Sequence, residues 1–383
     1  MPAATQTRFF QTGSPAHPVR LRDGGLLPGV TLAYETWGEL NAERSNAVFL
    51  FHALSGSHHA VGYNPDIDGV GALWQPELHE GWWEAMIGPG KAIDTDKYFV
   101  ICANYLGGCY GSTGPASIDP ETGKPYGAKF PAVTAADQVE VFSRLLDHFE
   151  IDVLHAVVGP SVGGLIALTF ATRKAERIRN VIIIASGYKT TVLNRLILFE
   201  QILAIENDPY FNGGNYYDNS SPLYGLALAR MISQKTFVHL DAFETRARQD
   251  VVQADDVLAW YRVRDQFQSY MLHQGKKFVK RFDANTYLRI IDLWSRYDAT
   301  HEGDAETPAD LFERSRLAGQ KWLVFSIDSD FCFYPEEQSE LVKYLEQAKV
   351  DVMHIIVHSD KGHDSFLLEP DLYTPHVSWV LGK

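Results

Sequence analysis

The chain has 383 residues, of which 45% are hydrophobic and 21% charged, the proportions of a soluble globular protein able to bury a large core. A net charge of −14 excludes a general nucleic-acid or acidic-membrane binder, since those need a basic face. Cys102, Cys109 and Cys332 form neither a CxxC nor a zinc spacing and read as reduced thiols. The first residues show no basic stretch followed by an apolar run, and no apolar run reaches roughly 18 residues, so a cytoplasmic protein is expected.

In chain order, β-rich apolar runs occur at "NAVFLFHAL" (46–54), "YFVICANYL" (98–106), "LHAVVG" (154–159), "NVIIIASG" (180–187), "KWLVFSI" (321–327) and "MHIIVHS" (353–359). Near-continuous Val/Ile/Leu/Phe runs suit strands covered on both faces, as in a parallel sheet. Between the second and third, Thr134 is set to cap a helix with Asp137 three positions on, and Phe142, Leu145, Leu146 and Phe149 share one helical face. This alternation predicts an α/β fold, a mostly parallel, doubly wound sheet. The rhythm breaks between Tyr188 and Thr300, where the pattern is helical and rich in aromatics, and two strand runs follow. A helical lid insertion over 188–300 is expected between late strands of one core, formed by 1–187 and 301–383. Within it, 207–225 reads as a loop from its Gly, Asn, Ser and Pro content.

The third run leads into "VVGPSVGGLIAL" (157–168), with Ser161 between Gly159 and Gly163. A bare G-x-S-x-G arises by chance in roughly one chain in ten of this length, and glycines also ease plain strand–helix contacts. Here an apolar strand precedes Ser161 and "GGLIALTFATRK" follows as a helix, the arrangement of a nucleophile elbow. In an α/β hydrolase the acid follows the serine and the histidine comes last, each just past a strand. "LVFSIDSDFCFYP" offers Asp328 and Asp330, and "IIVHSDKGHDSFL" offers His363. The order therefore supports an α/β-hydrolase fold with a Ser161–His363–Asp330 triad, Asp328 being the rival acid. The histidine would take the serine proton and the aspartate would fix the imidazole tautomer. Two N–H donors must meet the oxyanion. Val162 supplies one, and "FHALSGSHHA" (51–60) supplies the other, with Leu54 as the donor. His52, His58 and His59 lack a metal-ligand spacing, no phosphate- or dinucleotide-binding fingerprint is present, and no bound metal or cofactor is expected.

"HALSG", the long block from Gly81 to Gly127, the elbow, "GLALARMI", "FDANTYL", "SIDSD" and "GHDSFL" together resemble the homoserine O-acetyltransferase family over nearly the whole chain. The resemblance implies an α/β-hydrolase core with a helical lid, a homodimer built through that lid, and a cytoplasmic role in methionine biosynthesis. It implies ping-pong chemistry in which acetyl-CoA, a co-substrate, acylates the serine and the homoserine hydroxyl takes the acetyl group. By position it assigns Ser161, Asp330 and His363 to the triad, Arg230 to the acceptor carboxylate and Asp364 to its ammonium. Departures from the family pattern are Leu165 and Ile166 after the elbow, Phe237 for a tyrosine, Ile202 for a lid arginine, and Cys332 where acetyl-specific members have leucine and succinyl-specific ones arginine. All are expected near the acyl or acceptor pocket. Acetyl transfer to homoserine leads; acetyl or succinyl transfer to a related hydroxy amino acid such as serine, an esterase using water, and a non-catalytic partner-binding protein are the alternatives.

Overall fold

The apolar runs become the centre of an eight-stranded sheet, with β1 (Arg8–Thr12), β2 (Val30–Trp37), β3 (Ala47–Leu50), β4 (Phe99–Ala103), β5 (Leu154–Pro160), β6 (Ile178–Ile184), β7 (Lys321–Ile327) and β8 (Asp351–Val357) in the order β1-β2-β4-β3-β5-β6-β7-β8. The computed structural model describes residues 4–249 and 262–382. From β4 to β8 every neighbour is parallel, with Val157 opposite Val181 and Leu323 opposite both Ile182 and Met353. The carboxyl ends of β5, β7 and β8 therefore share one edge, where ligands bind in open α/β sheets. β1 and β2 are antiparallel additions that carry no long apolar run, so they left no parallel-strand pattern in the sequence. β1, the exposed edge, needs fewer apolar residues than a strand covered on both faces, and in the buried β2 the run is broken by Thr31, Glu35 and Thr36.

Alternation along the strands splits the core. In β3, Ala47 and Phe49 face one apolar layer while Val48 and Leu50 face the other. Phe49, Phe51, Phe142 and Phe170 cluster on the first side, where α1 (Ala135–His148) and α2 (Val162–Arg173) cover the sheet. Thr134 and Asp137 form the expected capping box of α1, each side chain satisfying the other's backbone amide. Phe142, Leu145 and Leu146 are buried, and Phe149 is the residue that ends the helix.

Between β6 and β7 the described residues form helices, chiefly α3 (Val192–Glu206), α4 (Leu223–Phe237), α5 (Leu240–Gln249), α6 (Gln266–Phe278), α7 (Ala284–Ser295) and α8 (Pro308–Leu317). The two ends of this segment meet at a neck: Thr190 N–H donates to Tyr297 O at 3.1 Å and Ala299 N–H to Tyr188 O at 3.0 Å. Lys189 and Asp298 close it with a 2.6 Å ion pair. The expected loop at 207–225 ends earlier, because α4 begins at Leu223. Gly225 is a helical contact there: a Cβ would come within 2.5 Å of the Ala204 carbonyl of α3, so glycine lets α3 and α4 cross closely. Helices α9 (Pro335–Gln347) and α10 (Thr374–Leu381) complete the layers, and no helix among the described residues is long and apolar enough to cross a membrane.

Candidate active site

Ser161 sits between the end of β5 and the start of α2 with φ 56° and ψ −131°, a left-handed conformation that a side chain rarely adopts. Such a residue costs about 1–3 kcal/mol and persists only where its surroundings impose it. Three glycines make the turn sterically feasible. A Cβ on Gly159 would lie 2.2 Å from the Gly163 carbonyl oxygen, one on Gly163 2.5 Å from the Phe51 carbonyl oxygen, and one on Gly164 2.4 Å from Ser186 Cβ. The spacing that looked weak in the sequence is thus fixed by close contacts on three sides, two of them with backbone carbonyls.

The strand ends bring the other two residues to the serine. His363 Nε2 lies 2.8 Å from Ser161 Oγ, and His363 Nδ1 lies 2.7 Å from Asp330 Oδ2. The Cys332 and Phe333 amides donate to the second carboxylate oxygen, Oδ1, at 2.7 and 2.9 Å, so Asp330 cannot swing away. All three side chains are buried. Burial pulls the His363 pKa down, but the charge and hydrogen bond of Asp330, with the charge of Asp364, outweigh it and hold the imidazole above its ordinary value. Phe333 stacks on the ring, Phe366 meets it edge-on and Phe237 lies at 6.1 Å, a dry cage around the proton carrier. The rival acid Asp328 is elsewhere, accepting from His358 Nδ1 at 2.7 Å and from the Ser359 amide at 3.1 Å in a partly exposed loop.

Val162 opens α2, where a first-turn amide has no intrahelical acceptor. Leu54 lies in the buried loop after β3, and among the described residues its amide donates to no carbonyl. That loop is held from both sides. The His52 ring stacks on Tyr105 at 3.8 Å and its carbonyl accepts the Tyr105 hydroxyl. Downstream, His59 Nδ1 donates to the buried Glu35 at 2.7 Å, and Asn64 Nδ2 to the same carboxylate at 2.8 Å. The histidines of the loop are anchors, and no cluster able to hold a metal is found among the described residues.

Arg230, on α4, lies over the rings of Phe237 and Phe278 at 5.1 and 5.0 Å and has no hydrogen bond or ion pair among the described residues. Burial, and then the nearby Arg281 charge, lower its pKa, while Asp364 acts on it in the opposite sense. A guanidinium stacked on apolar rings with its donors unspent is suited to a carboxylate. Phe237 neighbours both Arg230 and His363, and buried Cys332 is pinned by its amide to Asp330 and by its carbonyl to Asn194. Leu165 and Ile166 are buried in α2 directly after the elbow. Ile202 corrects the expectation. It lines a separate groove of about 530 Å³ with Phe211, Asn285, Leu288 and Arg289, which contains no triad residue, because α3 turns that face toward α7. The catalytic loop also touches the helical segment: Gly362, at φ +67°, packs so closely that a Cβ would lie 2.5 Å from the His239 amide nitrogen. Phe278, Arg281 and the phenyl cage were not legible in the sequence, since their rings come from separate elements. Arg281 directly precedes the "FDANTYL" block, the one local hint.

The profile of the alpha/beta hydrolase fold family matches residues 46–370. The chain is 40% identical over 376 residues to the homoserine O-succinyltransferase of Acidithiobacillus ferrooxidans, covering 97% of this chain and 94% of that one. In three dimensions it is similar to homoserine O-acetyltransferase from Bacillus anthracis, with a TM-score of 0.86 at 25% identity over 100% of this chain and 99% of that one. Esterase E22 gives a TM-score of 0.85 at 26% identity over 99% of this chain and 100% of that one. With that fold and a relative matched almost end to end, the chain belongs to the homoserine O-acyltransferase family of the α/β-hydrolase superfamily.

Proposed function

We propose that this protein moves an acyl group from an acyl-CoA to the hydroxyl of L-homoserine through an acyl-serine intermediate, a step of methionine biosynthesis. The observation that carries the reading is the hydrogen-bonded line Ser161–His363–Asp330, together with the buried guanidinium of Arg230, which makes no hydrogen bond among the described residues. Ser161 Oγ attacks the thioester carbonyl as His363 Nε2 takes its proton, and the Leu54 and Val162 amides receive the negative charge of the tetrahedral intermediate. Collapse expels the CoA thiolate, which takes the proton from His363. Homoserine then binds, its carboxylate on Arg230 and its ammonium at Asp364; its hydroxyl gives a proton to His363 and attacks the acyl-serine, and free Ser161 is restored with the O-acyl product. Acetyl is the proposed donor, because Cys332 offers no cation for a second carboxylate. A succinyl donor is the second reading, favoured by the name of the Acidithiobacillus relative.

Mixing the protein with acetyl-CoA or succinyl-CoA, with and without homoserine, and following free thiol tests the proposal. Thiol release that requires homoserine supports the transferase, and the faster donor settles the acyl group. Equal release without an acceptor points to hydrolysis, the activity in the name of the similar esterase E22. Serine in place of homoserine tests the acceptor. If Arg230 holds the acceptor carboxylate, Arg230→Ala is expected to raise the homoserine KM about 100-fold, the worth of a charge-assisted bidentate contact, with acylation by the donor little changed. Equal losses in both half-reactions would assign Arg230 a structural role.

The neck at Tyr188–Thr190 and Tyr297–Ala299 supports dividing the chain into a core of 1–187 with 301–383 and a lid of 188–300. Along α3, Val192, Leu196, Phe199 and Leu203 form an exposed apolar stripe at helical spacing, continued by Leu228 of α4. Stripes of this size are usually covered by a partner, and a second copy is the proposed one, in a two-fold homodimer. Light scattering is expected to give twice the 43.0 kDa chain mass, and Phe199→Asp to return it to the monomer value. Cys102, Cys109 and Cys332 are all free, which suits the reducing cytoplasm proposed as its location.

A further inference from the structure

Arg281 reaches from the turn between α6 and α7 to the core. Its Nη1 donates to the Ser55 carbonyl at 3.1 Å, one residue past Leu54. Three other contacts fix the side chain and its backbone. The guanidinium lies 5.2 Å from the centre of the Phe278 ring, the ring that Arg230 also overlies. Nε sits 3.3 Å from Glu77, a carboxylate shared with Lys277 at 2.9 Å. The Tyr110 hydroxyl donates to the Arg281 carbonyl at 2.5 Å. The side chain is only 15% exposed, so these contacts are sheltered from water. Within the loop itself, the Gly56 amide closes a turn on the Ala53 carbonyl at 3.0 Å, with the Leu54–Ser55 peptide at its apex. The Leu54 N–H belongs to the first peptide of this turn and the Ser55 carbonyl to the last, so Arg281 fixes the far limb against which the Leu54 peptide is hinged.

We propose that Arg281 is a positioning residue that holds the Leu54 amide in line with the developing oxyanion by tethering the Ser55 carbonyl to the helical segment. This rests on the reading of Leu54 as an oxyanion donor. Oxyanion donors act by being aimed before the charge appears, so a freed loop loses catalysis without losing the donor itself. Complete removal of such a donor costs about 10²–10³-fold in kcat. Loss of the tether is expected to cost less, roughly 10- to 100-fold.

The test follows acylation by p-nitrophenyl acetate in the pre-steady state, which needs neither CoA nor an amino-acid acceptor. In Arg281→Met the burst rate constant is expected to fall roughly 10- to 100-fold, with one equivalent of nitrophenol still released per site and the ester half-saturation unchanged. Arg281→Lys, which keeps one donor, is expected to recover part of the rate. Phenylboronic acid adds to the serine as a tetrahedral adduct seated on the same amides, and its inhibition constant is expected to rise in proportion to the loss in rate. An unchanged burst rate and inhibition constant in both variants would overturn the proposal. So would a reduced burst amplitude at an unchanged rate, the signature of partial unfolding. Absence of a burst in the unsubstituted protein would instead remove the acyl-serine reading on which it stands.

Discussion

Ser161→Ala is expected to lower kcat by at least about 10⁴-fold, to the level that binding and the oxyanion amides alone sustain. Among the described residues the only hydrogen bond of Ser161 Oγ is the one to His363, so removing the hydroxyl leaves the packing of the elbow untouched. Alanine inherits the same backbone at φ 56°, with neither more nor less strain than serine. The thermal midpoint should therefore stay within a degree or two of the parent. Pre-steady-state mixing with acyl-CoA is expected to show no burst of thiol, and mass spectrometry no acyl adduct on the protein. Retained turnover would show that another group carries the acyl chain.

Asp330→Asn is expected to cost about 10³–10⁴-fold in kcat, because an amide NH₂ facing Nδ1 stabilises the wrong imidazole tautomer. The loss should appear equally in kcat and kcat/KM, since Asp330 lies behind His363 and contacts no substrate. The same substitution has a pH signature. His363 must be neutral to accept the serine proton, so activity falls as the pH drops through its pKa, which lies above the ordinary 6.5. Burial lowers that pKa and the Asp330 charge and hydrogen bond raise it, so without the aspartate burial prevails. The acid limb of kcat/KM is thus expected to move to lower pH in Asp330→Asn, read from a pH–rate profile of both proteins. A limb that stays in place would assign the ionisation to another group.

Much of this site could be read from residue order. Parallel strands buried on both faces write continuous apolar runs, so β3 to β8 were visible, and the residues that follow such strands are the ones a parallel sheet gathers on one edge. That is why Ser161, Asp330 and His363 could be paired although they are far apart in the chain. The choice between Asp330 and Asp328 was not decidable from spacing alone. It turns on two amide donors that the loop after β7 presents to one carboxylate and not to the other. The two antiparallel strands escaped notice because β1 is an exposed edge of mixed residues and Thr31, Glu35 and Thr36 interrupt the apolar run of β2. Ile202 was misplaced for a related reason: helical spacing says which residues share a face, but only the packing of α3 on α7 says where that face points. The rings around Arg230 depend on α4 and α6 meeting, which no local pattern encodes.

The neck between Tyr188 and Ala299 also bears on how the chain reaches this structure. β6 and β7 are neighbours in the sheet, yet every residue of α3 to α8 is synthesised between them. Loop-closure entropy rises only with the logarithm of length, so the long excursion weakens the native state little. Its effect falls on time instead. β7 and β8 must find a half-built sheet across a large sequence separation, and folding rates drop as such separations grow. Until β7 arrives, β6 offers an apolar edge open to other strands, the species from which aggregation starts. The elbow, formed by neighbouring residues of β5 and α2, can take shape early, while the acid and the histidine arrive only with the last two strands.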